Sequence, residues 1–370
     1  MTRTTLAALV TLTLAGLLPA ADKPDAKPAK PRVEVVFCLD TTGSMSGLIQ
    51  GAKDKIWAMS NQIASGKPVP ELRIGLVAYR DKGDAYVTRV IDLTDDLDAI
   101  HGELAKFQAQ GGGDGPESVN QALDDAVHKV KWTEGKDVLK LLFLVGDAPP
   151  HMDYADDVKY PVTCQKAVAK NIIINTIQCG GDQECRRAWQ DICTKGEGTY
   201  VQIAQQGGVL AVATPFDKRL GEINSEMARS TVVYGTREKQ ASDLRRAGAA
   251  AGLAPAAAAE RAAFSSKAGR VAAYDLLDDI KDGKVKLDQI KKEELPEELR
   301  AMTADEQKAH LEKLQKRRAE LSQEALELDK KRADYIKQEL AKTKKDGKDA
   351  FDSQVIDTLQ KQAARYNIKY

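Results

Sequence analysis

Val33-Glu-Val-Val-Phe-Cys-Leu-Asp-Thr-Thr-Gly-Ser-Met45 sets a nearly continuous apolar run directly against a carboxylate, two threonines, a glycine and a serine. Val33–Leu39 reads as a buried first strand. In an open α/β sheet, ligands bind at the carboxyl ends of the strands, and Asp40 stands at that end. Asp40, Thr42 and Ser44 alternate along the turn, so three hard oxygens can converge on one point, a set suited to Mg²⁺. Gly43 permits the tight turn between them. The competing use of the hydroxyls is capping of the next helix, with Thr42 or Ser44 accepting from free N–H groups.

The chain then alternates strand and helix patterns. Leu48–Ala64 is amphipathic, with Leu48, Ala52, Ile56, Met59 and Ile63 on one face. Leu72–Tyr79 and Tyr86–Leu93 are strands whose short connection suits a hairpin, so one of them lies at an antiparallel edge. Helices are expected over Asp95–Phe107 and Glu117–Val130. Leu139–Val145 and Ile172–Cys179 are the most apolar strands and suit the centre of a parallel sheet. Gln183–Thr194, Thr199–Ile203 and a closing helix, Phe216–Thr231, complete the unit. The order implies an open, mostly parallel, Rossmann-like α/β sheet with helices on both faces.

Two further stretches bear on the oxygens of the first turn. Gly111-Gly-Gly-Asp-Gly-Pro-Glu117 is a flexible loop entering a helix, with Pro116 expected in the first turn. It carries Asp114 and Glu117. Leu144-Val-Gly-Asp147 is another apolar strand ending in a carboxylate, followed by Ala-Pro-Pro-His151. Carboxylates gathered at one edge repel each other, and a hard divalent cation resolves the repulsion.

These three loops, in this order, resemble those of a von Willebrand factor type A domain with its metal-ion-dependent adhesion site. The family's first motif, Asp-x-Ser-x-Ser, is here Asp40-Thr-Thr42-Gly-Ser44. Asp114-Gly-Pro-Glu117 is similar to the Asp-x-Pro-Glu variant of integrin beta subunits, and Asp147-Ala-Pro-Pro-His151 to their third loop. The resemblance implies a metal held by Asp40, Thr42, Ser44, Glu117 and Asp147. Asp114 would reinforce it or hold a neighbouring cation, and His151 would be structural. Where integrin beta chains carry two acids for an adjacent calcium, this chain has Gly47 and Leu48, so that extra site is not expected. Val77-Ala-Tyr-Arg-Asp81 is a further landmark, with Arg80 and Asp81 read as sheet-edge ion pairing.

The rest of the chain frames this unit. Residues 1–21 read as a signal peptide: Arg3, the apolar run Leu6–Leu18, then Pro19-Ala-Ala21. The protein is therefore expected to be exported, periplasmic or secreted, with no later membrane-spanning segment. Residues 22–31 form a Lys/Pro/Ala/Asp linker, and 32–235 the sheet domain. After Gly235, Ala, Lys, Glu and Leu dominate: an Ala-rich connector at 236–275, helical or flexible, then a charged helical region at 276–370. Thr303-Ala-Asp-Glu306 is a capping box opening a long helix. In that helix Leu314, Leu321, Leu328 and Tyr335 recur every seventh residue, while the other seam positions read Leu311, Arg318, Ala325 and Arg332. That is half a coiled-coil seam, suited to packing on a neighbouring helix or to oligomerisation.

Lysine plus arginine and aspartate plus glutamate number 55 each, and aromatic residues are 5 % of the chain, which exclude a general nucleic-acid binder. Cys38 lies within the first strand as a buried thiol. Cys164, Cys179, Cys185 and Cys193 suggest one or two disulfides in an exported protein. Cys185 and Cys193 would be about 12 Å apart on one continuous helix, so either the helix starts after Cys185 or each pairs elsewhere.

Three functions compete. The resemblance implies a non-enzymatic, Mg²⁺- (or Mn²⁺- or Ca²⁺-) dependent binding module whose cation takes an exposed acidic residue of a partner protein. The second is an Mg²⁺-dependent phosphotransferase or phosphatase of haloacid-dehalogenase type, which the Asp-x-Thr-Gly-Ser turn also resembles, with Asp40 as nucleophile. The third is a metal-free scaffold.

Overall fold

The computed structural model of the protein describes residues 30–113, 115–205, 212–343 and 351–370. The expected signal peptide and nearly all of the linker lie outside these residues. Six strands, β1 (Arg32–Asp40), β2 (Glu71–Tyr79), β3 (Thr88–Thr94), β4 (Val138–Gly146), β5 (Ile172–Cys179) and β6 (Glu197–Ile203), form one sheet in the order β3-β2-β1-β4-β5-β6. Every pairing is parallel except β2 with β3, the edge hairpin expected from the short connection.

Among the described residues the α-helices are, in chain order, α1 (Ser46–Ile63), α2 (Leu97–Lys106), α3 (Val119–His128), α4 (Tyr160–Ala169), α5 (Gln183–Lys195), α6 (Asp217–Arg229), α7 (Arg237–Ala251), α8 (Pro255–Ala268), α9 (Leu276–Lys281), α10 (Glu297–Arg300) and α11 (Ala304–Thr343). The last is α12 (Phe351–Ala363). Because side chains alternate along a strand, β1 feeds two cores. Val33, Val35, Phe37 and Leu39 meet α1 and α2, whereas Val36 and Cys38 meet α3, α4 and α5. Burial on both faces explains why the central strands are apolar without alternation.

The C-terminal region differs most from expectation. Phe216–Thr231 does form a helix, α6, but it does not close the sheet. Leu220, Ile223 and Met227 pack instead on Ala259 and Ala262 of α8 and on Leu321 and Ala325 of α11. The open sheet face is taken by α12, whose Val355, Leu359 and Ala363, with Ile368 beyond it, join the core of β1 and β4. Asn175 of β5 and Gln362 of α12 exchange amide hydrogen bonds of 3.1 and 2.8 Å on that buried face. Lys67 and Lys369 add a two-way backbone pairing at 2.8 and 3.1 Å. The core therefore runs across the boundary expected at residue 235.

The Ala-rich stretch is helical on both sides of a break at Gly252–Ala254, with Pro255 starting α8. Its small side chains let α8 lie against both α1 and α6; Ala258, Ala259, Ala262 and Ala263 are all buried. The capping box forms: Glu306 Oε2 accepts from Thr303 N at 2.8 Å. The half-seam of α11 is used within the chain. Arg318 donates from both terminal nitrogens to Asp275 at 2.8 Å each, and Arg332 Nε donates to Asp217 at 2.7 Å. The seam arginines thus meet buried carboxylates of the same chain.

All five cysteines are free and buried, which corrects the expected disulfides. α5 starts at Gln183, so Cys185 and Cys193 sit on one continuous helix and stay too far apart to bridge. Cys179 faces the α1 side of the sheet and Cys185 the opposite side. Cys164 donates to Ile192 O and Cys193 to Gln190 O.

Candidate metal centre at the sheet edge

β2 lies on one side of β1 and β4 on the other, so the chain reverses its winding between β1 and β4. Crossovers leave in opposite directions there and open a crevice at the carboxyl edge. Asp40 ends β1 and Asp147 follows β4 at that crevice.

In the first loop, Asp40 is fully buried. Its Oδ1 accepts from Thr42 N at 2.8 Å and Thr42 Oγ1 at 2.7 Å, and Thr42 Oγ1 lies 3.3 Å from Ser44 Oγ. The three alternating oxygens are therefore linked in a chain. Neither hydroxyl caps the following helix, so capping does not explain them. Thr41, between them, points the other way and bonds Tyr79 O and Tyr86 Oη at 2.9 and 2.7 Å.

The second loop is laced to the first by Gly43 N to Gly111 O at 3.1 Å and Gln110 N to Thr41 O at 3.1 Å. Gly112 shows the convergence: a Cβ there would stand 3.0 Å from Thr42 Cβ and 3.3 Å from Glu117 Oε1. With φ +74° as well, that position suits glycine. Glu117 is buried, and Asp114 lies outside the described residues. Pro116 is not in the first turn of α3, which begins at Val119; the Ser118 hydroxyl before it donates to Asp81 at 2.7 Å.

The third loop closes on both. A Cβ at Gly146 would lie 3.0 Å from Asp40 Cβ and 3.1 Å from Asp40 Oδ2, so glycine lets the end of β4 abut Asp40. Glu117 N donates to Pro149 O at 2.9 Å, and His151 N to Glu117 O at 3.1 Å. Asp147 is half-buried and accepts from Gln205 Nε2 at 2.6 Å.

Two oxygens in this arrangement lack partners. Asp40 Oδ2 and Glu117 Oε2 are buried without a hydrogen bond, a state that costs about 1–3 kcal/mol per group. Burial first, then repulsion from Asp147, pushes the Asp40 carboxyl up to about 7. Burial first, then Asp40, Asp81, Asp84 and Asp147, pushes Glu117 up to about 9. Among the described residues, no group of three or more His, Cys, Asp or Glu forms a metal cluster by itself. The hydroxyls of Thr42 and Ser44 are thus integral to any oxygen donor set here. Two orphaned carboxylate oxygens beside two hydroxyls fit a hard cation.

Residues that sequence reasoning did not assign to the site brace it. In place of sheet-edge ion pairing with each other, Arg80 donates to Gln108 O at 2.8 Å and lies over the Tyr86 ring, while Asp81 accepts from Ser118 and Tyr154. Asp84 accepts from Gly112 N at 3.3 Å. His151 Nδ1 meets Asp153 at 2.8 Å and Nε2 faces Asp81 at 3.4 Å. Asp81 and Asp84 follow the apolar β2, the one local signal that marked them in the sequence.

Residues 34–215 match the family model of the von Willebrand factor A domain. The match covers the sheet and the helices around its edge, and a domain of this kind points to a protein-interaction module. Solved structures similar to the chain include the conserved hypothetical protein BatB from Bacteroides thetaiotaomicron, 16 % identical, with 46 % of this chain and 90 % of that one covered and a TM-score of 0.36. The SpRpn10 VWA domain is 16 % identical, with coverages of 47 % and 88 % and a TM-score of 0.36. An aerotolerance-related membrane protein from Bacteroides fragilis NCTC 9343 is 15 % identical, with coverages of 47 % and 92 % and a TM-score of 0.33. No curated protein matches the sequence. Among the described residues no helix is long and apolar enough to cross a membrane.

Proposed function

We propose that this protein is an exported, non-enzymatic binding module in which Mg²⁺, or Mn²⁺ or Ca²⁺ in its place, is held at the sheet edge and takes an acidic residue of a partner protein. Asp40, Thr42, Ser44, Glu117 and Asp147 supply the protein's oxygens, with Asp114 beside Glu117. The observation that carries the reading is the pair of buried, unpartnered oxygens, Asp40 Oδ2 and Glu117 Oε2. Buried polar atoms in native proteins almost always find partners. Each of these two carboxyls has its proton affinity raised by burial and by neighbouring acids, so a cation can take the place that a proton otherwise holds. The cation supplies charge neutralisation and a coordination position for an incoming carboxylate.

The haloacid-dehalogenase reading needs an acid two residues after the nucleophile, in its phosphatase branch. Thr42 stands there, and its hydroxyl is engaged by Asp40. One face each of α12 and α11 is used within the chain, α12 on the sheet and α11 on α6 and α8.

The test is calorimetric titration of the full chain with Mg²⁺ and Mn²⁺ beside Asp40→Ala, with a phosphate-ester turnover assay on the same sample. Saturable binding lost in the variant, without turnover, is the expected result. Metal-dependent turnover would install the phosphotransferase instead, and absence of binding would leave the scaffold.

A further inference from the structure

The third loop continues past His151 into a ten-residue excursion that returns to the same point. Asn120, fully buried in the first turn of α3, holds both ends: Nδ2 donates to His151 O at 2.6 Å, and Oδ1 accepts from Tyr160 N at 2.9 Å. Compact loops with joined ends are frequent carriers of function. This one is stiffened within. The His151 and Tyr154 rings stack at 3.9 Å, and Tyr154 Oη donates to Asp81 at 2.7 Å. Lys82 pairs with Asp156 at 2.5 Å and lies over the Tyr154 ring.

Against that bracing, the loop turns apolar side chains outward. Met152 is 50 % exposed, Val158 38 % and Val162, in the first turn of α4, 45 %. They are three of the six large apolar side chains that stand exposed among the described residues, and they fall within one short stretch. Isolated exposed apolar residues are ordinary, but a group on a rigid rim marks a contact surface. Met152 Sδ lies 3.8 Å from Asn120 Nδ2, and Val158 is two residues before Tyr160, so both flank the clamp three residues after Glu117.

We infer that this loop is the apolar half of the partner site: it receives an extended protein segment that carries one acidic residue next to an aliphatic or aromatic one. The inference rests on the proposed cation at the sheet edge, which takes the acid, and adds Met152 and Val158 as the contact for its neighbour. Charge gives a polyacidic partner no advantage: Lys82 and His151, basic groups against the loop, are already paired with Asp156 and Asp153 at 2.5 and 2.8 Å, so neither is free to take a second or third acid.

The experiment uses the full chain in Mg²⁺ with a displayed library of ten-residue peptides, each with one central Asp or Glu, and a poly-glutamate peptide as comparison. Recovered peptides are expected to release in EDTA and to share an apolar residue at a fixed distance from the acid. The Met152→Ser/Val158→Ser double variant should bind them at least tenfold more weakly with its Mg²⁺ affinity unchanged. Leu244→Ser, exposed on α7, should bind them normally. Acidic peptides without an apolar preference, preferred binding of poly-glutamate, or unaltered binding by the double variant would each overturn the inference while leaving the cation site standing. Absence of EDTA-sensitive capture from a chain that binds Mg²⁺ in the calorimeter overturns it too. A chain that binds no Mg²⁺ removes both.

Discussion

Replacing Asp40 by Asn keeps the side chain's shape and removes its charge, and the expected outcome changes sign with metal and with pH. In metal-free protein the Asp40 carboxyl is pushed from 3.8 to about 7, burial being the larger cause and Asp147 adding repulsion. A carboxyl whose folded value is raised binds its proton more tightly in the folded state. Below pH 4 it is protonated in both states and costs nothing. Between pH 4 and 7 the unfolded chain ionises first, so stability falls as pH rises, and it levels off above 7. The full penalty is about 4 kcal/mol. Asparagine escapes it, and its Oδ1 can still accept from Thr42. Its NH₂, placed where Oδ2 has no partner, forfeits about 1–3 kcal/mol. In EDTA at pH 8, Asp40→Asn should therefore be more stable than wild type by roughly 1–3 kcal/mol, with the advantage gone at pH 4. Mg²⁺ at a hundred times its dissociation constant should then stabilise wild type by about 2.7 kcal/mol and leave the variant unmoved. Urea unfolding of the full chain at both pH values, with and without Mg²⁺, measures all of these. A variant less stable than wild type at pH 8 in EDTA, or a stability difference between variant and wild type that does not grow from pH 4 to 8, would refute the reasoning.

Leu359→Ala removes a fully buried side chain of α12 from the sheet's core and should cost about 2–5 kcal/mol in urea unfolding; a near-zero loss would mean that α12 does not seal the sheet. Arg318→Ala leaves Asp275 buried beneath α11 without its two-pronged partner and should cost about 3–5 kcal/mol, while the nearby exposed Arg317→Ala should stay within about 1 kcal/mol. Without reductant, a thiol reagent should count five cysteines in denaturant and almost none in the native chain, since all are free and buried; a count of three or fewer in denaturant would mean a bridge.

The strands were legible because a parallel sheet covered on both faces favours apolar residues on both sides of each strand, and β1, β4 and β5 are predominantly apolar, interrupted by single polar residues such as Glu34, Lys140 and Asn175. The hairpin edge followed from a short connection that no parallel crossover can use. Helix α4 was not expected: its buried face is only Thr163, Cys164 and Ala167, too slight an apolar stripe to stand out. The oxygens of the candidate site were visible as a pattern at strand ends. Asp81 stood out as a strand-end landmark but not for its bonds to Ser118 and Tyr154, and the roles of Asp84, Asn120 and Gln205 were not visible, because each acts on a loop distant in sequence and no local spacing records that.

By itself the sequence determined most of the strands and helices of the sheet unit, which ends carry oxygen ligands, and that α11 has a face to bury. Only the tertiary structure decided what each face meets. Amphipathic spacing records that a surface must leave water, since burial is non-directional and scales with area. It does not record the partner surface, which depends on shape and on pairs such as Asn175 with Gln362 and Arg318 with Asp275. Hence the last helix rather than α6 seals the sheet, and cysteines close in sequence end on opposite faces. Two carboxyl oxygens from loops far apart in sequence, Asp40 Oδ2 and Glu117 Oε2, are left buried without partners for the same reason.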